Sequence, residues 1–309
     1  MNQISCPSLS AQDTEMNGEL APPPWAEACV AGSARTRTVA GDVDLTLRET
    51  GTAALLTARW SEFTALPRAE AIEAAEAVYL AIAATLPQEL HSPVRFWNHI
   101  PGIHDEMGES MDRYMAFNAG RFAGFSRWLG SPSTFARSVA TASGIGHFGR
   151  DLVIHVLASR HAGVSVDNPR QTPPFAYSQR FGPRPPCFAR ATLLPETGLL
   201  LIGGTASIRG EESVHLGDLA GQIEETFTNL DALVGRAGEM ASHVAGLASI
   251  HDLRVYHPCR EDAATIRHAL AKAMPNALSV QLIHADVCRP ELLVEIEGLA
   301  QLRARGREA

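Results

Sequence analysis

Cysteine is scarce in this sequence, lysine is almost missing, and long apolar runs do not occur. The five cysteines (Cys6, Cys29, Cys187, Cys259 and Cys288) are odd in number, scattered, and free of a CxxC spacing. That pattern excludes a disulfide framework and a cysteine-based zinc site, and it predicts reduced thiols in a cytoplasmic protein. No stretch of 18 uninterrupted apolar residues occurs, so neither a transmembrane helix nor a membrane partner is expected. The opening residues lack a basic segment followed by an apolar one, so no secretory signal is expected. Net charge is −8 with no basic run, which excludes nucleic acid as a partner. Phosphate loops, dinucleotide fingerprints and a GxSxG elbow are missing: GGTASIRGEE has the spacing of none of them. His99 and His104 sit beside Asp105 and Glu106, but this spacing matches no metal set and reads as a solvated turn. Neither metal nor cofactor is expected. Lys272 is the one lysine, so nearly all positive charge is arginine, a bidentate donor suited to carboxylates.

What is present is a chain of 309 residues, 45% hydrophobic, long enough for one large or two modest cores. Residues 1–35, with Pro22-Pro23-Pro24, read as a loose arm. Residues 36–192 read as an N-terminal α/β half: strands within 36–47 and 53–57, a helix over 69–86 stopped by Pro87, another over 111–129, and a buried strand, LVIHVLA, over 152–158. The stretch 167–191 holds too much proline for a helix or central strand and is expected as an ordered loop, where binding residues gather. Residues 193–309 form a third segment. It carries a strand over 199–207 ending in a Gly-Gly turn, a helix opening at Asp218, a strand over 253–256, a helix over 261–273, and strands over 278–283 and 292–296. This β-α-β-α-β-β order predicts a mixed sheet backed by helices, an α/β (α+β) fold.

With its particular words (LLLIGGTAS, GDLAGQIEETFTNLDALV, LRVYHP and LLVEIEG), that order resembles the RidA/YjgF fold. Simple members of that fold are imine deaminases with an arginine one strand before VEIE. Residues 276–279 (NALS) have none, which excludes imine hydrolysis. The upstream words FWNHIPGI, FNAGR, VLASRHAGVSVDNPRQ and FGPRPPCFARA, with ADVCRPELLVEIEG, are similar to the chorismatases, over about residues 90–302. The resemblance implies a cofactor-free enzyme with chorismate as its small-molecule partner. The expected products are 3-hydroxybenzoate and pyruvate, with a dihydroxycyclohexadienoate and pyruvate as the alternative. A RidA-like binding module without catalysis is the alternative from another class. RidA proteins are trimers, but the extra upstream half can replace neighbouring subunits, so a monomer is expected.

Chorismate is a dianion with an acid-labile enolpyruvyl ether, so its cleavage needs a proton donor and cations. Glu295 and Glu297 share one face of their strand, with Val294 and Ile296 on the other. A carboxyl in such an apolar strand is desolvated and stays protonated near neutral pH. The resemblance assigns Glu295 as the acid, and Glu297 reads as an edge-facing or supporting charge. In the chorismatases a cysteine at the place of Cys288 marks members that aromatise the ring, with Arg289 the neighbour that would activate it as a base. Arg190, matched in FARA, is the first choice for a carboxylate, followed by Arg184 and Arg180. The family pattern YPRxYG reads here YSQRFG, so Arg180 falls one position late. Tyr177 is either a hydrogen-bond donor to substrate or a packing aromatic of its loop. Gly203, Gly204, Thr205 and Ala206 either bring backbone close to the ring or simply make a tight turn.

Overall fold

The structure, a computed structural model, describes residues 14–17, 20–131 and 138–304. In chain order the elements are β1 (Thr14–Asn17), α1 (Pro24–Ala28), β2 (Arg35–Ala40), β3 (Val43–Glu49), β4 (Ala53–Trp60), α2 (Arg68–Thr85), β5 (Ser92–Pro101) and α3 (Arg113–Trp128). There follow β6 (Thr141–His147), β7 (Leu152–Ser159), β8 (Val164–Val166), β9 (Ala191–Leu194), β10 (Leu199–Ala206), α4 (Leu219–Ala241), β11 (Ile250–His257), α5 (Ala263–Ala273), β12 (Ser279–His284) and β13 (Glu295–Gln301).

Two sheets stack face to face between two pairs of helices. The first runs β2-β3-β4-β7-β5-β6 and the second β1-β12-β11-β13-β10-β9-β8. Alternation along each strand explains the layering. In β4, Ala54, Leu56 and Ala58 pack against α2 and α3, whereas Ala53 and Leu55 face the second sheet. In β13, Ile296 and Ala300 pack in the core beneath α4 and α5, while Leu299 joins the core between the sheets. β7 therefore has both faces covered, which is why LVIHVLA is continuously apolar. Helices α2 and α3 touch closely because small residues meet: a Cβ on Gly120 would strike Ala75 at 2.7 Å, and one on Gly124 would strike Tyr79 at 2.8 Å. Asp112 caps α3 by accepting from the Met115 amide at 2.7 Å, and Asp218 caps α4 by accepting from Gly221 at 3.1 Å.

Four expectations change. The arm is not loose between residues 20 and 30: Trp25 is buried against Trp97 with ring centroids 5.6 Å apart, and Arg254 donates to the Ala21 carbonyl at 3.0 Å. Further up the arm, β1 pairs in parallel with β12. The second sheet reaches back past residue 193 to take in β8 and β9, so its membership does not follow the division at 192/193. The strand expected over 292–296 lies at Glu295–Gln301 instead, so Glu295 opens it. Finally, Gly203-Gly204 is no turn. β10 continues through it to Ala206 with a bulge between Ile202 and Thr205, where the two glycines oppose Glu297 alone.

Candidate active site

The bulge and β6 create the site together. The amide of Gly203 donates to the Arg190 carbonyl at 2.9 Å, and Thr141 Oγ1 donates to the same carbonyl at 3.1 Å. Edge strand β6 is thereby tied to β10 where the sheets meet. Above this seam opens a cavity of about 200 Å³. Its floor is Ser143 and Gly144 of β6, Gly204 and Ala206 of β10, and Glu295 of β13. Its walls come from α3, the proline-rich loop and the segment before β13. Glycine at 204 makes room for the acid, because a Cβ there would land on the Glu295 carboxyl group and displace it.

Glu295 is buried, and that desolvation, followed by the charge of Glu297, pushes its carboxyl up to about 7. The Cys288 thiol, Arg95 and Arg190 pull the other way and are outweighed. Cys288 lines the same cavity, keeps partial access to it, and hydrogen-bonds Glu295. Burial, then the charge of Glu295, raises the Cys288 thiol despite Arg289. The expectation that Arg289 activates Cys288 as a base therefore fails, and the residue is a neutral thiol at physiological pH. Arg289 spends its hydrogen bonds elsewhere, on the Glu211 carbonyl at 2.9 Å and Ser213 Oγ at 3.0 Å.

Three arginines line the cavity beside the carboxyl groups of Asp112, Glu291 and Glu295. Arg121, Arg190 and Arg289 line the cavity and are buried. None of the three forms an ion pair with a carboxylate among the described residues; their hydrogen-bond partners are neutral groups such as Asn118, Tyr177, the Thr172 carbonyl and Ser213. The Nε atoms of Arg121 and Arg190 are buried with no protein acceptor among the described residues. Such donors are costly unless an anion supplies the acceptor. Tyr177 lines the cavity and packs in its loop as well: its hydroxyl accepts from Arg190 at 2.5 Å, and its ring packs on Phe181, with Arg289 5.5 Å from its centroid. The Tyr114 phenol also lines the cavity, and burial holds it far above its ordinary range.

The structure thus gathers Glu295, Cys288, Arg190, Tyr177, Gly204 and Ala206 around one cavity. It does not bring in Arg180, Arg184 or Thr205. Arg180 sits in a 3-10 turn, Gln179–Phe181, that sends Phe181 inward and the arginine outward to Glu211 and Glu212. Arg184 is exposed and lies over the Phe122 ring at 5.0 Å. Thr205 falls on the opposite face of β10 from Gly204 and Ala206, and its hydroxyl donates to the Gly203 carbonyl at 3.1 Å. Sequence reasoning gave no role to Tyr114, Arg121 or Ser143. Arg121 stood in the quoted word FNAGR, and the glycines of TASGIGH mark a strand that something approaches closely.

Comparison with known proteins decides the family. A 3-hydroxybenzoate synthase of Streptomyces hygroscopicus is 34% identical over 245 residues, 75% of this chain and 71% of that protein. The chain belongs to the chorismatase family. A chorismatase of the same organism is 37% identical over 213 residues, 66% of this chain and 60% of its own length. Residues 29–158 match the family described as Chorismatase FkbO/Hyg5-like, N-terminal. A crystal structure of a chorismatase superposes with a TM-score of 0.75 at 29% identity, covering 85% of this chain and 78% of that one. Within this chorismatase fold, His99 is not in a solvated turn: it is buried on β5, 5.5 Å from the His155 ring. Asp105 pairs with Arg113 at the start of α3. Among the described residues, no group of three or more His, Cys, Asp and Glu side chains is placed to hold a metal ion. No helix among them is long and apolar enough to cross a membrane.

Proposed function

We propose that the protein cleaves chorismate to 3-hydroxybenzoate and pyruvate, with Glu295 as the acid. The observation that carries this reading is a carboxyl group held up at about 7 in a cavity whose three arginines have no carboxylate partner among the described residues. Two carboxylates of a small dianion supply what those guanidiniums lack. Protonation of the enolpyruvyl methylene by Glu295 leaves a cationic ether carbon. The ring 4-hydroxyl oxygen attacks C3 in place of water as the C3–O ether bond breaks, so pyruvate leaves with the ether oxygen as its carbonyl. The oxygen now bridging C3 and C4 is released from C4 and kept on C3, and C3 loses its proton as the ring becomes aromatic. Chorismate is the sum of 3-hydroxybenzoate and pyruvate, so the proton given to the methylene equals the one lost from the ring. Glu295, now a carboxylate, can take that proton back and is regenerated. The Cys288 thiol, a neutral donor to Glu295, stabilises the carboxylate in between and fills space that water would occupy. Proton transfers alone complete the reaction, so it requires no cofactor.

The dihydroxycyclohexadienoate would require one water in place of the 4-hydroxyl, and the bulky thiol at Cys288 speaks against it. A monomer in the reducing cytoplasm fits the same reading. The inner face of the second sheet is covered by this chain's own first sheet, and the thiols of Cys187, Cys259 and Cys288 are unbridged. The test is to incubate the purified protein with chorismate, without metal or nucleotide, and to identify products by mass and absorbance. Unchanged chorismate would overturn the activity, and the diol as main product would overturn the aromatising route.

A further inference from the structure

A buried ion pair joins the two sheets directly beneath the acid. Arg95 of β5 donates to Glu297 of β13 at 2.6 Å, and both side chains are almost completely shielded from solvent. Trp97 Nε1 donates to the other carboxylate oxygen of Glu297 at 2.9 Å. Ser143 Oγ donates to Glu297 at 2.5 Å and accepts from the Gly204 amide at 3.0 Å. Arg95 also donates to Ser143 Oγ at 2.6 Å and to the Phe96 carbonyl at 2.7 Å. The cluster thus bridges the two sheets through Glu297, and Ser143 extends it to the cavity floor.

Such a pair contributes little net stability over a well-packed apolar substitute, so its presence calls for another reason. The strand period supplies one. Glu297 is two residues from Glu295 on the same face of β13, roughly 7 Å along the strand, with no layer of solvent between them. The groups facing Glu295 are Glu297 on its own strand, Tyr256 on β11, Arg95 on β5, Tyr114 on α3, Cys288 before β13 and Arg190 before β9. Tyr114, Tyr256 and Cys288 are all driven up by burial and stay neutral. Arg95 and Arg190 both draw Glu295 towards its carboxylate form. Glu297 is the one anion in the set.

We propose that Glu297, fixed by Arg95, Trp97 and Ser143, is a positioning residue that adds to burial in keeping Glu295 in its acid form against the pull of the neighbouring arginines. This inference rests on Glu295 being the acid. Arginines that recruit a dianion also favour a carboxylate at the reacting centre, and an immobilised negative charge on the solvent-free side offsets them without competing for substrate. Arg95 offsets part of this charge and the buried Arg254 stands opposite Glu297 on β11, yet Glu297 raises Glu295 more than Arg95 lowers it.

The test is the pH dependence of kcat/KM in three variants, read beside the infrared titration of the Glu295 carboxyl in the ligand-free protein. Glu297→Gln keeps the shape and removes the charge. Its high-pH limb and its Glu295 titration are expected to move down by about one pH unit, giving about tenfold lower activity above the limb and an unchanged low-pH plateau. Arg95→Lys keeps the pair and should retain the wild-type limb. Trp97→Phe removes one donor and leaves both charges, so Glu297 is less neutralised and the limb moves up by a few tenths of a pH unit. An unmoved limb in Glu297→Gln overturns the proposal; if that variant does not fold, an unmoved limb in Trp97→Phe does so. A Glu295→Gln protein that retains turnover overturns instead the assignment of Glu295, a separate failure with a separate readout.

Discussion

At the scale of single residues, the proposed chemistry turns on two side chains that share a hydrogen bond, Glu295 and Cys288. Glu295→Gln keeps shape and hydrogen-bonding capacity but cannot donate an acid proton, so pyruvate release from chorismate should fall by about 100-fold or more with the circular dichroism unchanged. In the wild type, kcat/KM should fall as pH rises through about 7, because the acid form is lost there. The same shift has a sign for stability. Burial raises the carboxyl from 4.5 to about 7, so the folded protein binds this proton more tightly than the unfolded chain does. Its contribution is fully present below the lower value and is lost as pH climbs through the upper one. Glu295→Gln should therefore gain stability relative to wild type between pH 5 and pH 8, by at most about 3 kcal/mol, in denaturant titrations at the two pH values. Cys288→Ala removes a neutral donor and opens space for water. Pyruvate release should persist while product shifts from 3-hydroxybenzoate towards the dihydroxycyclohexadienoate, measurable by chromatography of one reaction mixture. Unchanged proportions would reduce Cys288 to packing.

At the scale of elements, the decisive feature is the bulge in β10. Two glycines opposite one glutamate turn the Gly204 amide towards Ser143 and clear the volume that the Glu295 carboxyl occupies. Gly204→Ala should displace that carboxyl and lower kcat by more than about tenfold, whereas the melting temperature should drop only modestly, since the site and not the core takes the clash. Wild-type turnover in Gly204→Ala would mean that Glu295 has another productive rotamer. Helices α2 to α5 were legible from the sequence, whereas α1, β1, β5, β6, β8 and β9 were not: α2 and α3 fall within two residues of their expected ends, and Asp218 caps α4 as its position suggested. The bulge was not legible, because Gly-Gly after an apolar run has the same local signature as a turn, and only pairing on both sides of β10 carries the strand through it. The shift of β13 towards residue 301 has a similar origin. Leu292 and Val294 are as apolar as a strand but pack from a loop, and pairing with β10 and β11 begins at Glu295.

At the scale of the whole molecule, the cavity belongs to neither sheet. β6 and α3 come from the first half, β10 and β13 from the second, and residues 20–30 strap across both through Trp25, Ala21 and Leu20. Trp25→Ala removes a buried indole from the core between the sheets and should cost about 3–5 kcal/mol, seen as a lower denaturation midpoint with loss of activity at the same denaturant concentration. A stability change near zero would return this segment to the loose arm that its Pro-Pro-Pro composition suggested.

The sequence by itself determined the layer class, the strand face shared by Glu295 and Glu297, and the words that place the chain among the chorismatases. These are properties of local period and of residue identity, and they survive without knowledge of neighbours. Tertiary structure alone decided which arginines reach the cavity. Arg190 enters because its carbonyl is pinned to the bulge and to β6, and Arg121 because α3 carries it in, while a 3-10 turn sends Arg180 out to two glutamates. It also decided the chemistry of Cys288, for the field at a thiol sums over burial and every charge nearby, and here burial and Glu295 outweigh the adjacent arginine. Electrostatic character is set by distances through space, and those are fixed only once the two sheets have closed on each other.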